Sequence, residues 1–142
     1  MHSIGICGAG LIGASWALGF ASRGYNVLVY DTNVKVLKNF FKVIEQLSSD
    51  LTIIKKINLA ELKSKIKICY NIKEICKDSI LIQESIVELL EEKQKIFSIF
   101  EQYCHSETIL ASSSSYLLPS KISEKLKTQE RCIVAHPALP PH

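Results

Sequence analysis

Short β-rich runs alternate with helical stretches along this 142-residue chain, and that alternation constrains its fold more than any other feature. Strands joined by helices pair in parallel through right-handed crossovers. The sequence therefore predicts an α/β fold, a doubly wound and mainly parallel six-stranded sheet in a single domain. The predicted strands are Ser3–Cys7, Asn26–Tyr30, Ile66–Tyr70, Ser79–Gln83, Thr108–Ala111 and Cys132–Ala135.

The helical stretches are recognised by apolar residues that recur on one face. In the second helix this stripe comprises Val36, Leu37, Phe40, Phe41, Ile44 and Leu47. We expect Ser48 to Asp50 to end that helix. The predicted helices are Leu11–Arg23, Thr32–Leu47, Asn58–Ser64, Ile72–Cys76, Val87–Tyr103 and Ser120–Leu126.

Composition narrows the classes of function. The formal charge of +3 is small, and the surplus lysines alternate with apolar residues, which favours solvated helix faces over an anion-binding surface. No nucleic-acid partner is predicted. Apolar runs fall short of the roughly 18 residues that a membrane span needs, and the first residues do not resemble a signal peptide. Five widely spaced cysteines predict reduced thiols in a cytoplasmic protein, and four scattered histidines predict no metal site.

A glycine motif follows the first predicted strand and opens the first predicted helix: Gly8-Ala9-Gly10-Leu11-Ile12-Gly13. In this context the pattern predicts a dinucleotide-binding loop of the Rossmann type. Gly8 permits a tight turn, Gly10 lets a diphosphate approach the backbone, and Gly13 allows close helix packing. The helix N-terminus offers unpaired N–H groups to the phosphates.

Asp31 ends the second predicted strand, 18 residues after Gly13. A carboxylate there accepts hydrogen bonds from adenosine ribose hydroxyls and repels a 2′-phosphate, which favours NAD over NADP. FAD or a methyltransferase cofactor remains an alternative for a glycine loop of this kind. A glycine-rich turn with an acidic helix cap is the alternative without a ligand.

Later motifs occur in a characteristic order along the chain. They are Gln83-Glu84-Ser85-Ile86-Val87-Glu88, then Lys93, then Ile109 to Ser115, then Leu118-Pro119-Ser120-Lys121, then Arg131 to Pro137. Together with Gly10 to Ala17, they resemble the NAD-binding domain of the 3-hydroxyacyl-CoA dehydrogenase superfamily. Within it, the chain most resembles the branch of lambda-crystallin (L-gulonate 3-dehydrogenase) and L-carnitine dehydrogenase. The resemblance covers nearly the whole chain.

The resemblance implies roles for four residues. Ser115 matches a serine that contacts substrate hydroxyl and cofactor, and His136, 21 residues later, matches the catalytic histidine. Glu88 and Lys93 match positions beside the nicotinamide ribose. Chemistry supports this, because oxidation of an alcohol needs a base near neutral pH and histidine suits that task. Alternatives are a serine run that caps the next helix and a Glu88–Lys93 pair on an exposed helix face.

Two departures from the family pattern bear on activity. Leu139 stands where the family has asparagine, and the chain ends before an expected glutamate and a helical, dimer-forming domain. We therefore expect NAD binding with slow turnover in this chain alone, and a homodimer where the helical domain is present. The resemblance favours a small 3-hydroxy acid over a 3-hydroxyacyl-CoA substrate. A stand-alone NAD-binding module, or a structural protein, is the alternative to an enzyme.

Overall fold

A computed structural model of the chain describes residues 3–55 and 58–138, with side chains between 50 and 55 left out. The strands are β1 (Ser3–Cys7), β2 (Asn26–Tyr30), β3 (Ile66–Cys69), β4 (Ser79–Glu84), β5 (Ile109–Ser112) and β6 (Cys132–Val134). The helices are α1 (Leu11–Ala21), α2 (Val34–Lys55), α3 (Leu59–Ser64), α4 (Ile72–Asp78), α5 (Leu90–Tyr103) and α6 (Pro119–Ile122).

The six strands form one sheet in the order β3-β2-β1-β4-β5-β6, and every neighbouring pair is parallel. This confirms the predicted doubly wound α/β fold. The strand order reverses between β1 and β4, where the end of β1 at Cys7 lies between Tyr30 and Glu84. Ligands of open parallel sheets bind at such a reversal, outside the carboxyl ends of the strands.

Apolar clusters cover both faces of the sheet. One cluster joins α1 and α2 to β1 and β2, and it buries Leu37, Phe40 and Ile44 from the predicted stripe of α2. The other joins α4, α5 and α6 to the sheet and is centred on Phe97 and Phe100. Burial of this apolar surface fixes the strand ends that carry the site.

The helix boundaries differ from the prediction by one to eight residues, and the largest differences lie in α2, α5 and α6. Ser48 does not end α2, because its hydroxyl donates back to the Glu45 carbonyl at 3.0 Å and the helix continues to Lys55. Helix α5 begins at Leu90 rather than Val87, and α6 ends at Ile122 rather than Leu126. The expected break at residues 48–50 was therefore wrong.

All five cysteines are free thiols, four of them buried. Burial is the main cause that raises the pKa of both Cys69 and Cys132 to about 11. Among the residues that the structure describes, no helix is long and apolar enough to cross a bilayer, and no three potential metal ligands cluster together.

Candidate functional site

The glycine loop between β1 and α1 is built from close backbone contacts. Gly8 has a φ of +100°, and a Cβ added there would lie 2.5 Å from the Ser85 carbonyl oxygen. A Cβ added at Gly13 would lie 1.8 Å from the Gly8 carbonyl oxygen. Both positions therefore require glycine for the turn and for the approach of α1 to the loop, as the motif predicts.

The start of α1 is open to a ligand. Gly10 is its N-cap, without a side-chain capping bond and without an acidic residue in the first turn. A Cβ added at Gly10 would meet nothing within 4 Å, so this glycine leaves space that the protein itself does not use. Because the first N–H groups of a helix lack intrahelical acceptors, this space suits an anionic group such as a diphosphate. Leu11, 57% exposed, begins the helix at the edge of this space.

Asp31 connects the loop to the end of β2. Its Oδ2 accepts a hydrogen bond from the Ala9 N–H at 2.8 Å, and its Oδ1 accepts one from the Asn33 N–H at 2.7 Å. Each oxygen keeps a lone pair, so the carboxylate can also accept from the hydroxyls of a ribose. Asp31 thus both holds the loop and offers the predicted ribose contact.

A cleft of about 550 Å³ runs along the glycine loop at the carboxyl edge of the sheet. Its walls combine loop backbone with apolar side chains, and the Asp31 carboxylate lies at one side. The lining residues that matter here are Gly8, Gly10, Asp31, Val36, Ser85 and Ile86. Open phosphate-binding backbone, a ribose acceptor and an apolar wall together fit an adenine dinucleotide.

A second cleft of about 430 Å³ adjoins the first and shares Ser85 and Ile86 with it. It lies beyond the ends of β4, β5 and β6. The structure brings five of the predicted site residues together in its wall: Ile12, Glu88, Lys93, Ser115 and His136. The two clefts therefore separate the predicted site into a phosphate and ribose part and a part that carries Glu88, Lys93 and His136.

A buried charge cluster supports the second cleft. Lys93, 1% exposed, contacts both oxygens of Glu84 at 2.7 and 3.0 Å and Glu88 Oε2 at 3.1 Å. Glu84, which is fully buried, also accepts hydrogen bonds from the Ser112 hydroxyl at 2.6 Å and the Ile86 N–H at 2.7 Å. The alternative of an exposed helix pair was therefore wrong for Lys93.

Glu84 was not among the predicted site residues. Its signal in the sequence is a carboxylate that ends an apolar parallel strand, with a lysine nine positions later on the following helix. That signal indicates a buried ion pair only once the burial of the strand end is known.

Glu88 holds the loop after β5. Its Oε1 accepts hydrogen bonds from the Ser114 hydroxyl and from the Ser115 N–H, the latter at 2.9 Å. Partial burial acts to raise the pKa of Glu88, but the bonds from Ser114, Lys93 and Ser115 outweigh it, and the pKa is lowered from its ordinary value. The carboxylate form is thereby stabilised, and Ser115 is held at the cleft.

The serine run does not cap α6. The N-cap of that helix is Leu118, which makes no side-chain capping bond. Ser114 instead accepts from the Leu117 N–H at 2.9 Å within the preceding turn. The alternative that the serines cap the next helix was therefore wrong.

His136 follows β6, and its Nδ1 lies 3.4 Å from the Ser113 carbonyl oxygen. A carbonyl only accepts, so Nδ1 is the donor in this contact, and in the neutral ring Nε2 is then the acceptor. The side chain of Ser113 lies within hydrogen-bond distance of Trp16, Gln83 and Ser85. Leu139, the departure noted in the sequence, lies outside the described residues.

The parallel sheet, the glycine loop and the acidic residue after β2 define a dinucleotide-binding α/β domain. Residues 3–142 match the family model of the 3-hydroxyacyl-CoA dehydrogenase NAD-binding domain, and the chain belongs to that family. NAD is accordingly the dinucleotide that this domain binds, and the open space at Gly10 with the Asp31 carboxylate fits it.

Curated relatives match almost the whole chain. A lambda-crystallin homolog of Mus musculus is 39% identical over 141 residues, which are 96% of this chain and 44% of the relative. An L-carnitine dehydrogenase of Oceanobacillus iheyensis is 31% identical over 149 residues, 99% of this chain and 45% of the relative. The chain therefore spans less than half the length of these relatives.

Solved structures share the fold. The 3-hydroxybutyryl-CoA dehydrogenase of Escherichia coli K12 superposes with a TM-score of 0.89 at 23% identity, covering 99% of this chain and 30% of that one. A diketoreductase gives a TM-score of 0.89 at 24% identity and covers 97% of this chain and 50% of that one. At these identities the similarity establishes the architecture.

Proposed function

We propose that this chain is the cofactor-binding part of an NAD-dependent dehydrogenase that oxidises the secondary alcohol of a small 3-hydroxy acid or 3-hydroxyacyl substrate. The observation that supports the proposal is that the second cleft, lined by His136, Ser115, Glu88 and Lys93, shares Ser85 and Ile86 with the first. When bound, NAD accepts the hydride. The side chains of the protein have to orient the alcohol and take its proton.

His136 is the proposed general base. With Nδ1 donating to the Ser113 carbonyl, Nε2 is free to accept the proton of the substrate hydroxyl. Ser115 is the proposed partner of the same hydroxyl oxygen, because it borders the cleft and its backbone is held by Glu88. Neither role requires a metal ion.

The cofactor contacts are assigned to the residues around the two clefts. Gly8, Gly10, Leu11, Ile12 and Gly13 form the phosphate-binding loop and helix start. Asp31 binds the adenosine ribose, and its charge disfavours a 2′-phosphate. Glu88, Lys93 and Ser115 complete the nicotinamide side.

The relatives favour a small polar substrate. The curated relatives above 30% identity include L-carnitine dehydrogenases and lambda-crystallin homologs, whereas the 3-hydroxybutyryl-CoA dehydrogenase is below 25% identity. We infer that a hydroxy acid is the substrate, and we propose a homodimer where a helical domain is present.

The proposal is tested first by calorimetry of NAD binding and then by measurement of turnover. We expect the chain to bind NAD more tightly than NADP. Asp31→Ala should weaken NAD binding. The control Asp78→Ala, on the exposed end of α4, should leave NAD binding unchanged. NADH formation is then measured with L-gulonate, L-carnitine and 3-hydroxybutyryl-CoA, alone and with the remaining part of a relative supplied. Absence of NAD binding, or identical binding by Asp31→Ala, would refute the cofactor site.

The general base is tested separately. His136→Gln should lower turnover by about 10²- to 10⁴-fold while NAD affinity stays unchanged. His105→Gln, at an exposed position after α5, serves as the matched control. Equal turnover by the His136 variant and the wild type would remove His136 from the mechanism. Binding of NAD with no turnover under any condition would instead favour a binding module.

A further inference from the structure

The hydroxyl of Ser113 makes three polar contacts that together fix the position of its proton. The Trp16 indole Nε1 lies 3.1 Å from this oxygen, the Gln83 amide nitrogen 2.8 Å, and the Ser85 hydroxyl oxygen 2.8 Å. An indole N–H and an amide NH₂ can only donate. They occupy both lone pairs of the Ser113 oxygen, so the Ser113 proton has to be donated to Ser85.

The orientation of the Gln83 amide is itself determined by its second contact. Its nitrogen lies 3.3 Å from the Ala135 carbonyl oxygen, an atom that can only accept. A flipped amide would place two acceptors against each other there. The amide nitrogen therefore faces both Ala135 and Ser113, and Gln83 acts as a donor to the Ser113 hydroxyl.

The Ser85 hydroxyl consequently retains a proton of its own. It accepts from Ser113, and within the described part of the chain no hydrogen bond donated by the Ser85 hydroxyl is found. Its backbone N–H donates to the Cys7 carbonyl at 2.7 Å, which places Ser85 at the end of β1 and beside Gly8. Ser85 is half-buried and borders both clefts.

We propose that Ser85 is a cofactor-binding donor, whose hydroxyl proton is directed by Ser113 to an oxygen of the dinucleotide where the two clefts meet. This inference rests on the proposed function, since it assumes that NAD spans both clefts. The acceptor is either a diphosphate oxygen or an oxygen of the nicotinamide ribose. Trp16 and Gln83 are positioning residues, because they act on the ligand only through Ser113 and Ser85.

Calorimetric titration of the 142-residue chain with NAD, ADP-ribose and ADP tests the donor. Ser85→Ala should weaken NAD binding about 3- to 10-fold if the acceptor is a neutral ribose oxygen. The loss should be about 10- to 100-fold if the acceptor is a charged phosphate oxygen. A phosphate acceptor extends the loss to ADP, whereas a ribose acceptor limits it to NAD and ADP-ribose. Both patterns support the proposal.

A double-mutant cycle separates donation from simple packing. Trp16→Phe keeps an aromatic ring but frees one lone pair of Ser113, so Ser85 can turn its proton toward Ser113 and away from the ligand. We expect Trp16→Phe to weaken NAD binding a few-fold in the wild-type background. In the background of Ser85→Ala it should have no further effect on NAD binding. Additive losses would show that Trp16 acts through packing alone, and they would overturn the proposed proton arrangement.

Two further variants and one stability measurement serve as controls. Ser85→Cys replaces the hydroxyl with a thiol of similar shape, which is only a weak hydrogen-bond donor. Its NAD affinity should therefore resemble that of Ser85→Ala. Ser22→Ala removes a hydroxyl that bonds the Gly19 carbonyl at 2.8 Å, outside both clefts, and should leave affinity unchanged. Thermal unfolding verifies that each variant is folded. Wild-type affinity in both Ser85 variants would overturn the inference, whereas failure of the wild type to bind NAD would refute the proposed function itself.

Discussion

Replacement of Lys93 by methionine tests whether the buried charge cluster is required for the fold. Lys93 Nζ lies 2.7 and 3.0 Å from the two oxygens of Glu84 and 3.1 Å from Glu88 Oε2. Side-chain exposure is 1% for Lys93 and 0% for Glu84, whereas Glu88 is 30% exposed. Methionine preserves much of the aliphatic volume, so the loss of the ammonium charge dominates the effect.

The single variant leaves Glu84 as a buried anion with two neutral donors, Ser112 and the Ile86 N–H. Breaking a buried pair in this way costs about 3–5 kcal/mol. A domain is stabilised by about 5–15 kcal/mol in total, so Lys93→Met should remove about a fifth or more of that free energy. The double variant Lys93→Met with Glu84→Gln leaves no fully buried unpaired charge, because Glu88, which also loses Lys93, is 30% exposed. It should therefore cost only about 1–3 kcal/mol.

Urea unfolding followed by circular dichroism measures these free energies. Lys95→Met is the matched control, because its pair with Glu92 is exposed and should contribute little to stability. The reasoning fails if Lys93→Met costs less than about 1 kcal/mol. It also fails if the double variant is as destabilised as the single one.

Three further outcomes are expected, two at the site and one in the core. Gly10→Ala should leave the unfolding free energy almost unchanged and weaken NAD binding in calorimetry. Gly13→Ala, whose Cβ would lie 1.8 Å from a carbonyl oxygen, should instead lower the thermal midpoint of unfolding. The opposite pattern for the two variants would contradict this assignment. Because the pKa of Glu88 lies below its ordinary value of 4.5, its stabilisation is complete above that pH and is lost as the pH falls through the lowered pKa. The advantage of wild type over Glu88→Gln in urea unfolding should therefore shrink below pH 4.5, and a constant difference would argue against it. With its pKa at about 11, the Cys69 thiol should resist alkylation by iodoacetamide at pH 8 and react fully in urea, as mass spectrometry of the peptides would show.

Local patterns were sufficient to predict the strands and the glycine loop. The bounds of β1 and β2 agree with the prediction residue for residue, because both are apolar runs that end at a glycine or an aspartate. The function of Gly8 and Gly13 was also predictable, since it depends on backbone geometry close in sequence.

Contacts between distant segments could not be predicted in this way. The burial of Lys93 depends on Glu84 and on the loop after β5, so an exposed pair was an open alternative from the sequence. The hydroxyl of Ser113 gains its partners from α1 and β4, far away along the chain. Ser48 is buried within α2 and donates back to the Glu45 carbonyl, and composition alone does not reveal that arrangement.

The reversal of strand order between β1 and β4 divides the binding of one cofactor between two halves of the domain. In the function proposed above, residues after β1 and β2 bind the nucleotide end, and residues after β4, β5 and β6 face the alcohol. Substitution near Asp31 can therefore change which nucleotide is accepted without disturbing His136. Such a partition lets cofactor preference and substrate choice diverge independently during evolution.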